Sequence, residues 1–249
     1  MSDTTSPANW STSLTDGRLT PRYAWRQPLK AARQWLAQAR FGRDELSRDL
    51  RVVPKEVAEV LERLAESPQG KKDDNLYSYG GHLQSQRVAA LAELAVSLHP
   101  GDIVEIGVNR GFTTMLLAPI AARHGRKVIA VDPWIAGTQN CQGFEFEEFM
   151  RNTAPWRDAV EIWKMSSFAP EAFDRMGGRP LAFAFVDGLH TFDACMSDFR
   201  LVGHAAGLIA ADDVRYNREV ALALRISARR LARRAFHLPT MREGYLLPC

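Results

Sequence analysis

With 249 residues, 46% hydrophobic and 24% charged, the chain has the balance of a folded globular protein and not of a disordered one. Its formal charge of +3 is too small to argue for nucleic-acid binding, and no apolar run nears the ~20 residues that span a bilayer, so stable membrane insertion is not expected. The first residues lack the basic and apolar regions of a signal peptide, and Cys141, Cys195 and Cys249 form an odd set without metal-ligand spacing; the expectation is a cytoplasmic protein with reduced, structural thiols.

Residues 1–21 are rich in Ser, Thr, Asp and Pro and read as a mobile tail. Residues 22–82 read as a helical cap and lid. Helical patterning runs from Gln27 to Ser67, with Pro54 suited to a first helical turn. The loop SPQGKKDDN follows, and the segment from Tyr77 to His82 is a plausible lid over substrate. The amphipathic N-terminal helices could pack over a cofactor edge or support a homo-oligomer.

From Leu83 to Cys249 helix and strand alternate. QSQRVAALAELAVSLH is a helix and DIVEIGV a strand; GFTTMLLAPIAARHG is a helix and KVIAVDPW a strand. A helical FEFEEFMRNTA, the strand VEIWKMSS and a short helix PEAFDRM come next. The run LAFAFVD ends at Asp187, the helix TFDACMSDFRLVGHA follows, and GLIAADD ends at Asp212 and Asp213. After a last helix, NREVALALRISARRLARR, two short strands flank Arg242, Glu243 and Gly244. Such alternation implies right-handed βαβ units around a parallel sheet, an α/β fold closed by an antiparallel hairpin.

Each apolar run is short enough to be a strand buried on both faces, which places the polar residues at strand ends, where open α/β sheets bind ligands. Asp187, Asp212 and Asp213 would repel one another there unless a cation neutralised them, and an all-oxygen set suits Mg²⁺. His190, three residues beyond Asp187, could serve as a base near neutral pH. Gly107 and Gly111 leave the first strand just before a helix, allowing a tight turn and close approach of a ligand to the backbone. Asn109 stands where a dinucleotide fingerprint needs its second glycine, which favours a ligand without pyrophosphate. Asp132 ends the next strand, where a carboxylate can accept hydrogen bonds from ribose hydroxyls.

The series Glu105-x-Gly107-x-x-x-Gly111, then Asp132, then Ser166-Ser167 resembles the class I S-adenosylmethionine-dependent methyltransferases over Leu83 to Cys249. That resemblance implies a Rossmann-like fold with a mostly parallel seven-stranded sheet. It also implies S-adenosyl-L-methionine as cofactor, with Glu105, Gly107 and Gly111 near its methionine end, Asp132 on its ribose and Ser166 or Ser167 near adenine; Asp187 would border the same site. FVDGLHTFDACMSDF followed by GLIAADDV is similar to the metal-dependent O-methyltransferases, of the catechol type and of the bacterial type that methylates macrolide sugars. By that likeness Asp187, Asp212 and Asp213 would hold Mg²⁺ and His190 would be the base, as in the bacterial sugar type. The implied activity is methylation of a hydroxyl on a small molecule, a glycoside or other secondary metabolite.

Other readings stand beside this one. His190 could be structural, Thr191 could cap the following helix, and the Asp212-Asp213 pair could cap a turn. The enzyme could be metal-independent, or the chain could be a non-catalytic cofactor-binding assembly or regulatory subunit. A nucleic-acid methyltransferase is disfavoured, because no basic cluster surrounds the expected site. Asp193 and Asp198 read as solvated or structural. Arg225, Arg229 and Arg233, with Arg230 and Arg234 beside them, form a basic face on the last helix that is expected to be solvated.

Overall fold

The computed structural model describes residues 46–65, 80–137, 141–205, 207–238 and 240–248. The expected tail, the helical segment before Leu46, the loop SPQGKKDDN and the lid residues Tyr77 to Tyr79 lie outside the described residues. Gly80, Gly81 and His82, expected in the lid, instead form the first turn of a helix.

In chain order the elements are α1 (Lys55–Ala65), α2 (Gly80–Leu98), β1 (Asp102–Ile106), α3 (Thr114–Arg123), β2 (Val128–Val131), α4 (Glu145–Asn152), β3 (Val160–Trp163), α5 (Pro170–Met176), β4 (Leu181–Val186), α6 (Phe192–Val202), β5 (Leu208–Ala211), α7 (Arg218–Arg230), β6 (Arg234–Phe236) and β7 (Gly244–Leu247). The strands form one seven-stranded sheet in the order β3-β2-β1-β4-β5-β7-β6. β1 to β5 run parallel, and β7 pairs antiparallel with both β5 and β6. The expected α/β architecture and closing hairpin are therefore present.

The central strands are apolar at nearly every position because both of their faces are covered. Ile103, Phe183, Phe185, Ala210 and Tyr245 join a core with Val57, Leu61, Leu91 and Leu117. Their neighbours in the chain, Val104, Ala184, Val186, Ile209 and Leu246, belong to a second core with Phe199, Val220 and Leu224. Period-two alternation thus sorts each strand between two layers of helices. Val53, Val57 and Leu61 lie in the first of these cores, and the unit that holds the sheet comprises Leu46–Trp134 and Glu145–Cys249.

Residues 135–144 fall outside that unit; among the described ones there, the Gly137 N–H donates to the Cys141 carbonyl at 2.9 Å. Of the cysteines, Cys195 is buried and Cys141 half-buried, both as free thiols, and Cys249 lies outside the described residues. Among the described residues no helix is long and apolar enough to cross a membrane.

The last helix is shorter than its periodicity predicts. Ala232 turns the chain at φ 50°, the Arg233 N–H donates to the Ala228 carbonyl at 2.7 Å, and β6 starts at Arg234. The Arg233 guanidinium donates to the carbonyls of Gly207, at 2.6 Å, and Ala205. The expected basic face is thereby broken: Arg233 satisfies main-chain acceptors before β5, while Arg229 and Arg230 are exposed.

One buried ion pair locks the hairpin to the helical layer. Arg87 of α2 binds Glu243 through Nε to Oε1 and through Nη2 to Oε2 at 3.0 Å, and the Tyr245 hydroxyl donates to Oε1 at 2.7 Å. All three side chains are inaccessible to water. Removing one partner leaves a buried charge uncompensated. We expect Arg87→Leu to lower the unfolding free energy by about 3–5 kcal/mol in a urea titration; an unchanged midpoint would mean that the pair does not hold the hairpin.

Candidate active site

The strand ends are stitched by main-chain bonds that place the polar residues in one row. The Gly107 N–H reaches the Val131 carbonyl at 3.0 Å and the Asp132 N–H reaches Trp163 at 3.2 Å. The Asp187 N–H reaches Ile106 at 2.8 Å and the Asp212 N–H reaches Val186 at 2.9 Å. Gly107, Asp132, Asp187 and Asp212 thus follow β1, β2, β4 and β5 along the carboxyl edge. Between β1 and β4 the strand order reverses, opening the crevice where such sheets take ligands.

Gly107 has φ 83°, and a Cβ there would sit 2.0 Å from the Asp187 carbonyl oxygen. Gly111 has φ 77°, and its Cβ would meet the Phe149 ring at 2.6 Å. Both positions therefore favour glycine on steric and torsional grounds. Asn109, at φ 50°, donates its N–H to Asp132 Oδ2 at 2.9 Å, while Trp134 N–H donates to Oδ1 at 2.8 Å. The Trp134 indole returns a bond to the Asn109 carbonyl at 2.7 Å. Burial raises the Asp132 pKa, opposed by these main-chain donors and by that of Val108. The carboxylate is thus fixed in place while keeping lone pairs for a further donor.

Glu105 lies in β1, buried, and accepts the Thr114 hydroxyl at 2.6 Å. Burial pushes its pKa up to about 8, against the pull of that hydroxyl, so it carries a proton at neutral pH. Ser166 accepts the Phe168 N–H at 3.2 Å. Ser167 is buried and faces Asp198 of α6, whose carboxyl burial lifts to about 7 against the opposing effect of that hydroxyl. Asp198 is thus fully buried, not solvated.

His190 stands between two carboxylates. Nε2 lies 3.2 Å from Asp187 Oδ1, and Nδ1 lies 3.2 Å from Asp213 Oδ2. The contact with Asp187 raises its pKa against the cost of burial, with Asp213 and Asp212 adding to the rise. Its loop is held by α7: the Asn217 amide donates to the His190 carbonyl at 2.9 Å and Glu219 accepts the Phe192 N–H at 2.6 Å. Thr191 caps α6, whereas Asn217, not the Asp212-Asp213 pair, caps α7. Asp213 adopts φ 56°, a conformation rare for a residue with a Cβ.

Asp187, His190, Asp212 and Asp213 are brought together, but the expected Mg²⁺ does not fit them as they stand. Arg242 donates from Nε to Asp212 Oδ1 at 2.9 Å and from Nη2 to Asp212 Oδ2 at 2.7 Å, and Nη2 lies 2.9 Å from Asp213 Oδ1. Among the described residues no group of three or more His, Cys, Asp or Glu side chains is arranged to hold a metal ion. Burial and Asp187 raise the Asp212 pKa while Arg242 pulls it down. Arg242 itself is raised by Asp212 and Asp213, against its own burial. Sequence reading placed Arg242 only in the hairpin turn, because nothing local says which strand end the turn meets.

Residues 104–214 match the family described as a methyltransferase domain. No curated protein matches the sequence. Among solved structures, the apo form of CalS11, a TDP-rhamnose 3'-O-methyltransferase of calicheamicin biosynthesis, is 15% identical; the match covers 80% of this chain and 99% of that one with a TM-score of 0.52. A second crystal structure of CalS11 matches at 15% identity over 82% and 98% of the two chains with a TM-score of 0.51. An O-methyltransferase from Bacillus cereus in complex with SAH is 16% identical over 79% and 93%, with a TM-score of 0.48. The CalS11 likeness establishes the shared fold.

Gly107→Ala should destabilise the protein by about 2–3 kcal/mol or more through the positive φ and the clash with Asp187. Denaturant unfolding checks this, and wild-type stability in the variant would show that the two strand ends do not touch.

Proposed function

We propose that this chain, whose residues 104–214 match the family described as a methyltransferase domain and whose fold is shared with CalS11, is an S-adenosylmethionine-dependent O-methyltransferase acting on a hydroxyl of a small molecule. The observation that carries the reading is the row of Gly107, Asp132, Asp187 and His190 along the carboxyl edge of the sheet. The name of CalS11, a sugar O-methyltransferase, supports a glycoside or related secondary metabolite as the acceptor class.

The residues present suit the cofactor. Gly107 and Gly111 carry no side chain at the end of β1, where a Cβ would strike the Asp187 carbonyl and the Phe149 ring, so the backbone of this turn is free of side-chain bulk at both glycines. Asp132, held by main-chain donors, can accept the ribose hydroxyls, and Ser166 stands at the next strand end for the adenine side. Bound S-adenosylmethionine supplies a methyl group on a sulfonium. Displacement needs an acceptor oxygen held in line and relieved of its proton. In this scheme His190 Nε2, hydrogen-bonded at 3.2 Å to Asp187 Oδ1, takes the acceptor proton once the acceptor displaces that contact, with Asp213 Oδ2 3.2 Å from Nδ1 on the other side of the ring. The base and its orienting carboxylate form the pair that such chemistry requires. No part of this scheme calls on Mg²⁺, two of whose three expected ligands, Asp212 and Asp213, are engaged by Arg242.

Calorimetric titration with S-adenosylmethionine should show one saturable site, weakened at least tenfold, about 1.4 kcal/mol, in Asp132→Ala. No binding by a folded sample would overturn the methyltransferase reading. His190→Ala should abolish turnover while keeping cofactor affinity, and unchanged turnover would remove His190 from the mechanism. Glu105 adds a pH test. Its carboxyl is protonated below about 8, and a cationic cofactor favours the ionised form, so binding releases a proton. Affinity should therefore rise with pH until that value and then level off, and Glu105→Gln should flatten the profile.

A further inference from the structure

Three carboxylates gathered at one partly buried point need positive charge, and the protein supplies it from its own chain. Arg242 meets Asp212 fork to fork, with Nε and Nη2 each on a different oxygen, and the same Nη2 reaches Asp213. Asp212 is 2% exposed, and its Oδ1 also accepts the Asp213 N–H at 2.6 Å. Both of its oxygens are therefore committed in a charge-assisted geometry that a planar guanidinium matches and a compact ion does not.

Arg242 is also fixed from behind. Its carbonyl accepts the Arg215 N–H at 3.1 Å, and Glu243, the next residue, is tied to Arg87 and Tyr245 inside the core. The β5–β7 pairing ends at Ala211 and Gly244, so Asp212 leaves β5 at the same end of the pair at which Arg242 and Glu243 enter β7. The side chain is thus delivered to the carboxylates by the sheet. Mg²⁺ demands near-octahedral oxygen ligands at about 2.0–2.1 Å, and it cannot share Asp212 with the guanidinium.

We infer that Arg242 is the resident cation of this site: it neutralises Asp212 and Asp213, keeps divalent metal out, and holds Asp213 where it orients His190. Arg242 is a positioning residue, acting through the two carboxylates. That it serves methyl transfer rests on the function proposed above; the exclusion of metal does not.

Mn²⁺ titration followed by electron paramagnetic resonance tests the inference on full-length wild type, Arg242→Ala, Arg242→Lys and Asp212→Asn, with circular dichroism as the folding control. Wild type and Arg242→Lys should show no saturable Mn²⁺ site. Arg242→Ala, with its carboxylates released, should gain one, at least tenfold tighter than any binding to wild type. Saturable binding to wild type that Asp212→Asn abolishes would overturn the inference, and so would a folded Arg242→Ala that stays silent. If Arg242→Ala does not fold, Arg242→Gln replaces it with the same expected gain. Calorimetry with S-adenosylmethionine on the same wild-type sample separates the two readings, since failure there removes the methyltransferase proposal and leaves the Mn²⁺ comparison standing.

Discussion

The buried pair of Arg87 and Glu243 is the constraint on which the C-terminal half of the site depends. A carboxylate without water must find a partner or lose its charge. Glu243 finds one on a helix far away in sequence, with the Tyr245 hydroxyl as a second donor. The hairpin of β6 and β7 is thereby pinned to the helical layer over one face of the sheet. His237, buried within the same hairpin, adds a contact from Nδ1 to the Glu243 carbonyl at 3.1 Å. Because β7 runs antiparallel to β5, the residues leading into β7 lie beside those leaving β5. Glu243 faces Arg87, and its neighbour Arg242 reaches Asp212 and Asp213.

The two halves of the site manage charge by different means. At the glycine turn, main-chain N–H groups of Asn109 and Trp134 hold Asp132, and Glu105 avoids a buried charge by retaining its proton. Beyond β4 and β5 the carboxylates are more crowded, and two side-chain cations compensate them: the guanidinium of Arg242 and, when protonated, the imidazole of His190. A row of strand ends can thus offer both a polar cradle and a base. The geometry depends on the sheet as a whole, since Gly107, Asp132, Asp187 and Asp212 are each positioned by a bond to the carbonyl of the adjacent strand.

Much of this was legible in the chain itself. The apolar runs ending in Asp132, Asp187 and Asp212 could only be buried strands, and the spacing of Gly107 and Gly111 announced a turn that a ligand could approach. The positive φ at both glycines supplies the physical reason for that spacing. His190 could be singled out because it follows a strand-end Asp at a distance that a short loop can fold back. Where the reading stopped short, the missing information was long-range. Arg233 continued a helical pattern, yet the carbonyls of Ala205 and Gly207 and the left-handed turn at Ala232 drew it out of the helix. Val57 and Leu61 formed an amphipathic stripe whose place in the sheet's own core no local pattern reveals.

The order of residues by itself determined the alternation of helix and strand, the sheet class and the row of candidate groups at the strand ends, because periodicity and turn chemistry act over a few residues. Only the tertiary structure decided what meets those groups. That Asp212 and Asp213 face a guanidinium follows from the pairing of β5 with a strand more than thirty residues later and from a buried ion pair reaching back to α2; such register is set by packing across the whole domain, and no segment of the chain encodes it alone.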